Sequence, residues 1–430
     1  MALFGFFVAT MAIGMPIAFA FAAAALLYMF FVGNTPMNYD SLVTVAFGGL
    51  DSFVLMAIPF FIFAGDLMKQ GGIVRRLVDF SSMFVRGNGR AGIGNTAILG
   101  STFFGAISGS SAASVAAIGS VLLPEMEKKG YSRPDGAALV AASGYIGILI
   151  PPSIPLILYG LASSASIGDL FLAGIMPGIL AAALFMALNV YLVRRKGDTG
   201  LPAATVPQQP ATSRMRVFIE ALPGLLLPVV ILGGIYTGIF TPTEAAAVAV
   251  VYSLFVGLFV YRSFGFRDVP RIALESAVTS ATIMVIIGFA AFFGRLMTLE
   301  QIPAAISATM LSITSDPVML MILINLFLLF LGMFVETATV IMITTPILLP
   351  LILRMGIDPV HFGVIMIVNL SVGLITPPMA LNLFVASRVS GLPIKSLVMP
   401  IIPYVLASLV LLTIIVMFPS VSLFLPNLTK

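Results

Sequence analysis

The chain has no cysteine, a single histidine and few charges, and each scarcity removes a class of function. Without cysteine there are no disulfides, no thiolate metal sites and no cysteine nucleophiles. The lone histidine, His361, follows Pro359 at the head of an apolar stretch and reads as a helix-start residue rather than a proton relay. No Gly-x-x-x-x-Gly-Lys-Ser/Thr loop occurs, and no lysine follows a glycine, so ATP is not bound through a P-loop. Charged residues make up 9% of the 430 positions and hydrophobic ones 60%, with a mean hydropathy of +1.14. A soluble chain of this length could not hide that much apolar surface, so the bilayer is its solvent. The net charge of +4 sits in loops between apolar stretches and does not point to nucleic acid. The N-terminus lacks a basic leader and stays apolar to Gly33, which predicts a retained membrane segment.

What the chain does have is a repeat. Gly144-Tyr-Ile-Gly147-Ile-Leu-Ile-Pro151-Pro152 recurs as Leu370-Ser-Val-Gly373-Leu-Ile-Thr376-Pro377-Pro378, 226 residues further on. Pro16 with Pro242, Pro124 with Pro350, Gly130 with Gly356 and Pro177 with Pro403 keep the same spacing. Helices broken at matching places in two repeats point to the binding site of a transporter. A Pro-Pro break alone can be a simple kink, and it is the repetition that favours a functional reading.

A membrane span needs about 20 apolar residues. Spans are expected at about 16–33, 52–68, 136–165 (interrupted), 169–193, 217–240, 243–261, 272–294, 360–390 (interrupted) and 397–419. Residues 2–15 are too short to cross alone, so the first span is expected to be long or kinked at Pro16. Stretches 92–123 and 317–349 carry polar knots, Ser108-Gly-Ser110-Ser111-Ala-Ala-Ser114 and Glu336-Thr337-Ala-Thr339, and are expected to be re-entrant hairpins. With both as hairpins, the basic loops 69–90, 125–135, 194–216 and 262–271 share one side with Arg388 and Lys395. Eighteen of the 21 basic residues then face the cytoplasm; Arg295, Arg354 and Lys430 do not. Loop 69–90 holds five basic residues while its counterpart holds Arg295 and then none until Arg354, so the repeats are inverted. The expected division is a first repeat over 1–193, a cytoplasmic linker over 194–216 and a second repeat over 217–430.

Inverted repeats bring two helix breaks and two hairpin tips together near the bilayer midplane. A break frees backbone carbonyls for a small cation, and helix N-termini at the tips favour a carboxylate. The small-residue run 108–114 also suits close helix packing. Glu336, ionisable at membrane depth, is either a site residue or a buried carboxylate held by hydroxyls and backbone amides. Thr241-Pro242-Thr243-Glu244 reads as a capping box, and segment 70–90 as an amphipathic arm in the cytoplasmic interface.

These motifs in this order resemble the large membrane subunit of tripartite ATP-independent periplasmic (TRAP) transporters, the DctM-like family. Ser108–Ser114, Gly147–Pro152, Phe240–Ala247, Glu336–Pro350 and Gly373–Pro378 carry the resemblance, which runs essentially end to end. It implies an all-α polytopic membrane protein of two inverted repeats, each with a re-entrant hairpin and a Pro-Pro-broken helix, working as an elevator-type transporter of the ion-transporter superfamily. It further implies sodium-driven import of a small organic acid, such as a sialic acid or C4-dicarboxylate, across the bacterial inner membrane. The implied partners are a small four-helix membrane subunit and a periplasmic substrate-binding protein, within membrane lipid. One sodium site would use Gly105, Ser108, Gly147, Ile150 and Pro152; the second would use Gly332, Val335, Gly373, Thr376 and Met379. Substrate would lie near Ser110, Ser111, Ser114, Glu336, Thr337 and Thr376. A stand-alone cation-coupled symporter or antiporter of the same superfamily is the main alternative, and a channel-like subunit a second. An intramembrane enzyme is disfavoured, since no metal cluster or nucleophile–base pair lies in the spans.

Overall fold

A computed structural model describes residues 2–32, 39–85, 89–197, 213–314 and 316–429. Arg86, Lys430 and most of the 194–216 linker lie outside the described residues. The described residues form helices and connecting turns, without strand. The first half runs α1 (Ala2–Ala12), α2 (Ile17–Val32), α3 (Tyr39–Leu50), α4 (Ala57–Gln70), α5 (Ile73–Phe84), α6 (Arg90–Ser108), α7 (Ser111–Lys128), α8 (Arg133–Gly144), α9 (Ile154–Ser163) and α10 (Ile167–Arg195). The second runs α11 (Arg214–Tyr236), α12 (Pro242–Phe255), α13 (Val269–Leu299), α14 (Ile302–Ile313), α15 (Pro317–Phe334), α16 (Thr337–Arg354), α17 (Pro359–Gly373), α18 (Leu381–Ser390), α19 (Lys395–Met417) and α20 (Ser420–Leu428).

The spacing of 226 residues is visible in these boundaries. Ser111–Lys128 maps onto Thr337–Arg354, and Gly130 and Gly356 both take positive φ in the turns that follow. The Pro151-Pro152 and Pro377-Pro378 bonds are both cis. Neither knotted stretch is a single helix. Gly109, in the left-handed region at φ 58°, stops α6, and Ser110 caps α7 by accepting from the Ala113 amide. In the second pair the chain turns through extended Val335 and Glu336, and the Glu336 carboxylate caps α16.

Helix packing falls into two groups. One joins α1 to α4 with α11 to α13, where α12 lies on α4 and α13 on α2, α3 and α4. The other joins α6 to α10 with α15 to α20. Within it the repeats exchange partners: α7 packs on α18, and α16 on α9. Each hairpin's second arm therefore covers the half-helix that follows the other repeat's break. Tyr145 Oη meets Ser408 Oγ at 2.8 Å, and Tyr159 donates to the Pro359 carbonyl at 2.7 Å across the same seam. Helices α5 and α14 connect the groups, α5 touching α6 and α11, and α14 touching α13 and α16.

Several local expectations hold. Thr241 and Glu244 form the capping box, with the Thr241 amide donating to Glu244 at 2.8 Å. His361 lies in the first turn of α17, its amide donating to Asp358, the cap. Others are revised. Residues 2–15 do not extend the first span: they form a separate helix that folds onto α2, with Phe7 stacked on Phe21 at 5.0 Å. Gly14, at φ 83°, makes that turn possible. The amphipathic arm is helical as α5, but Ile73, Leu77 and Phe80 are buried against protein rather than laid on lipid. Its Arg76 sits over the Tyr261 ring at 3.9 Å. Helices α3, α14 and α20 fall outside the expected spans and hairpins.

Candidate cation and substrate site

At each break, proline removes the amides that would have closed the helix. Pro151 stands where the Gly147 carbonyl would find its i+4 donor, and Pro152 where Ile148 would. The Ile146 carbonyl takes the amides of Leu149 at 3.0 Å and Ile150 at 3.3 Å. Ser153 then donates to the Ile148 carbonyl at 2.5 Å and caps α9. The second break closes differently: the Thr376 amide donates to Gly373 at 3.1 Å, and the Asn382 amide spans the gap to Leu374 at 3.0 Å.

Against each break lies a glycine of the neighbouring hairpin arm, in backbone-to-backbone contact. A Cβ on Gly147 would come 2.5 Å from the Gly105 Cα, and one on Gly105 would overlap Gly147. A Cβ on Gly373 would overlap Gly332, coming 2.7 Å from its Cα. Both positions need glycine because no side chain fits between main chains this close. The chain thus brings together Gly105 with Gly147, and Gly332 with Gly373. At the first tip Gly109 lies against the Pro152 carbonyl, which a Cβ would meet at 2.8 Å, and Ser114 Oγ would stand 3.0 Å from a Cβ on Gly147. Ser108, its Oγ 3.5 Å from the Ser110 amide, backs onto Gly65 of α4. Ile150 packs on Gly178 of α10.

The second site is looser. The Thr376 hydroxyl donates to the Val372 carbonyl at 2.6 Å, and the Val335 amide to Leu331 at 2.9 Å. Pro378 and Met379 are exposed, Met379 by 51%. Glu336 is also exposed, with its carboxylate accepting from the Ala338 and Thr339 amides at 3.1 and 3.4 Å. Amides at the α16 N-terminus hold it, in an exposed position rather than the buried one expected of a purely structural carboxylate.

Among the serines, Ser114 is fully buried and donates to the Ser110 carbonyl at 3.0 Å. Ser111 is buried and bonded to Asn382, and Thr337 is buried, while Ser110 and Thr376 are partly accessible. Sequence reasoning overlooked Asn382. Its side-chain amide donates to Ser111 Oγ at 2.7 Å and to the Ala141 carbonyl at 2.9 Å. The only local signal is an amide four residues beyond Pro378 in an otherwise apolar run.

Among the described residues no group of three or more His, Asp and Glu is placed to hold a metal ion. The profile of the tripartite ATP-independent periplasmic transporter DctM component matches residues 4–421. The chain belongs to that family. Among DctM relatives, the isethionate TRAP transporter permease protein DctMQ of Oleidesulfovibrio alaskensis is 42% identical over 98% of this chain, which spans 65% of that relative's length. The C4-dicarboxylate large permease DctM of Rhodobacter capsulatus is 41% identical over 99% of this chain and 98% of its own. The sialic acid large permease SiaM of Vibrio cholerae is 37% identical, over 96% and 95%. The crystal structure of the YdaH transporter of Alcanivorax borkumensis shares the fold, with TM-score 0.62 and 18% identity over 91% of this chain and 89% of its own. Eight helices are long and apolar enough to cross a membrane, among the described residues. The chain is a multi-pass TRAP large permease.

Proposed function

We propose that this permease is the sodium-coupled membrane subunit of an importer for a small organic anion, moving cation and anion together by an elevator motion. The carrying observation is the pair of glycine–glycine backbone contacts at the breaks, Gly105 with Gly147 and Gly332 with Gly373. Each sets a proline-interrupted helix against the neighbouring hairpin arm; at the first break Pro151 and Pro152 deny the Gly147 and Ile148 carbonyls their i+4 amides. The first cation would be held by carbonyl and hydroxyl oxygens of Gly105, Ser108, Gly147, Ile150 and Pro152. The second would use Gly332, Val335, Gly373, Thr376 and Met379. Ser110, Ser111, Ser114, Glu336, Thr337 and Thr376 outline the substrate region; of these, Ser110, Thr376 and Glu336 are the ones reachable from outside.

The relatives' names speak of isethionate, C4-dicarboxylate and sialic acid, which share an acid group and little else. A substrate of that class, delivered by a periplasmic binding protein to a complex with a small membrane subunit, suits a site with no fixed cationic side chain of its own: the sodium ions would supply the positive charge. The elevator reading is supported by the two packing groups, one carrying both breaks and both tips, which meet through α5 and α14 and directly where α13 lies on α16 and α4 on α6. The inverted arrangement is supported by the basic loops, which the hairpin topology gathers on one side; the inner membrane is part of the same reading.

Thermal unfolding of the purified protein across a sodium titration, with potassium matched throughout, tests the cation sites. A ligand that binds only the folded state raises stability with concentration. Saturable stabilisation by sodium alone is expected. Identical curves in the two salts would overturn the sodium sites.

A further inference from the structure

The two breaks are not independent, and one side chain joins them. Asn382 is the second residue of α18, with no solvent exposure. Its own amide donates across the second break to Leu374 at 3.0 Å. Its side chain leaves the second repeat altogether: it donates to Ser111 Oγ at 2.7 Å, accepts from the same hydroxyl at 3.0 Å, and donates to Ala141 of α8 at 2.9 Å. Ser111 opens α7 directly after the capping Ser110, whose carbonyl takes the Ser114 hydroxyl. Ser114 in turn abuts Gly147. One unbroken line of contacts therefore runs from the Leu374 carbonyl in one break to Gly147 in the other. The arrangement is not repeated in reverse, because 226 residues earlier the position of Asn382 is Leu156, which has no polar side chain.

We propose that Asn382 is a positioning residue that makes cation binding at the two breaks interdependent. The inference rests on the sodium reading above. Its physical basis is that Asn382 closes the second break with its main chain and holds the first tip with its side chain. A cation that draws the 374–380 segment inward fixes Asn382, which fixes Ser111 and the N-terminus of α7 beside Gly147. Ordering at one site lowers the ordering still needed at the other, which is positive cooperativity. Buried polar atoms give such a link force, because an amide pulled from its partners has no water to replace them.

Sodium titrations monitored by thermal unfolding test this on three proteins: wild type, Asn382→Leu, and Asn382→Leu combined with Ser111→Ala. Wild type is expected to show a Hill coefficient approaching about 2, the ceiling for two sites. Asn382→Leu is expected to drop it to about 1 and to raise the half-saturating sodium concentration about tenfold, as loss of a coupling free energy requires. That variant also strands the Ser111 hydroxyl, so it is less stable than wild type. The double variant removes both partners and is expected to regain stability while the Hill coefficient stays near 1. Cooperativity returning together with stability would reduce Asn382 to a structural bond and overturn the proposal, as would a wild-type Hill coefficient in the single variant. An absence of sodium stabilisation in wild type would instead remove the underlying sodium reading.

Discussion

The two hairpin tips do the same topological job with opposite exposure. The first is largely closed: Ser108, Gly109, Ser111 and Ser114 are buried, as are Gly147 through Leu149 and Pro151 through Ser153, while Ser110 is partly accessible. Gly65 of α4 closes over Ser108 from the other packing group. The second lies open at Glu336, Pro378 and Met379, and its outer arm α15 shows Val318, Ile322, Leu326 and Phe330 to the outside. Equivalent positions of the two repeats have thus been placed in two environments, with Glu336 standing where the first tip has Ser110. A buried tip can hold backbone geometry tightly; an exposed one can let solute and water pass.

The largest effect that would break this comparison is on stability. Gly147→Ala pushes a methyl into a backbone locked on every side, and about 3 kcal/mol of destabilisation is expected, the upper end of overpacking costs. Gly373→Ala makes the same clash against Gly332 of α15, an arm facing outward that can yield, so about 1 kcal/mol is expected. Denaturant or thermal unfolding of the two variants measures both, and equal costs would erase the distinction between closed and open. Next in size is Pro152→Ala, which returns an amide able to reclaim the Ile148 carbonyl from Ser153. Half-saturating sodium should rise about tenfold, about 1.4 kcal/mol, with Pro378→Ala shifting it less; an unchanged value would make the first break only a kink. Because the chain has no cysteine, single cysteines report access without background. Met379→Cys should react with a polar maleimide at least about tenfold faster than Ser114→Cys, the behaviour of sites with different opening free energies. Similar rates would mean the first tip opens as freely as the second. The smallest structural effect is Glu336→Gln, whose side-chain oxygen can still cap α16, so membrane insertion stays intact and stability changes by less than about 1 kcal/mol. Transport is nevertheless expected to alter, and wild-type uptake would remove Glu336 from the site.

Much of this was legible in the chain because repetition supplies its own control. Helix ends at Ser111 and Thr337, breaks at Pro151 and Pro377, and turns at Gly130 and Gly356 follow from local chemistry that occurs twice. The capping box at Thr241 needs only four residues to be recognised. Where the reading fell short, the cause lay at a distance. The apolar run at the N-terminus has the same composition whether it extends α2 or folds back on it, and only Phe7 meeting Phe21 and Phe293 decides between them. Burial of the α5 apolar face depends on α6 and α11. Asn382 and Ser111 are 271 residues apart, and no periodicity in either segment announces their bond.

The exchange of partners between repeats has a consequence for how the protein is made. Helix α9 is synthesised by residue 163, yet the surface it rests on, α16, begins only at residue 337. Roughly the length of a whole small domain separates the two on the ribosome. During that interval the half-helix Ile154–Ser163 has no native neighbour on that side and must be tolerated by lipid or by the insertion machinery. Contacts this remote in sequence form late. The two repeats are therefore not modules that assemble after each is finished; the first half is completed by the second.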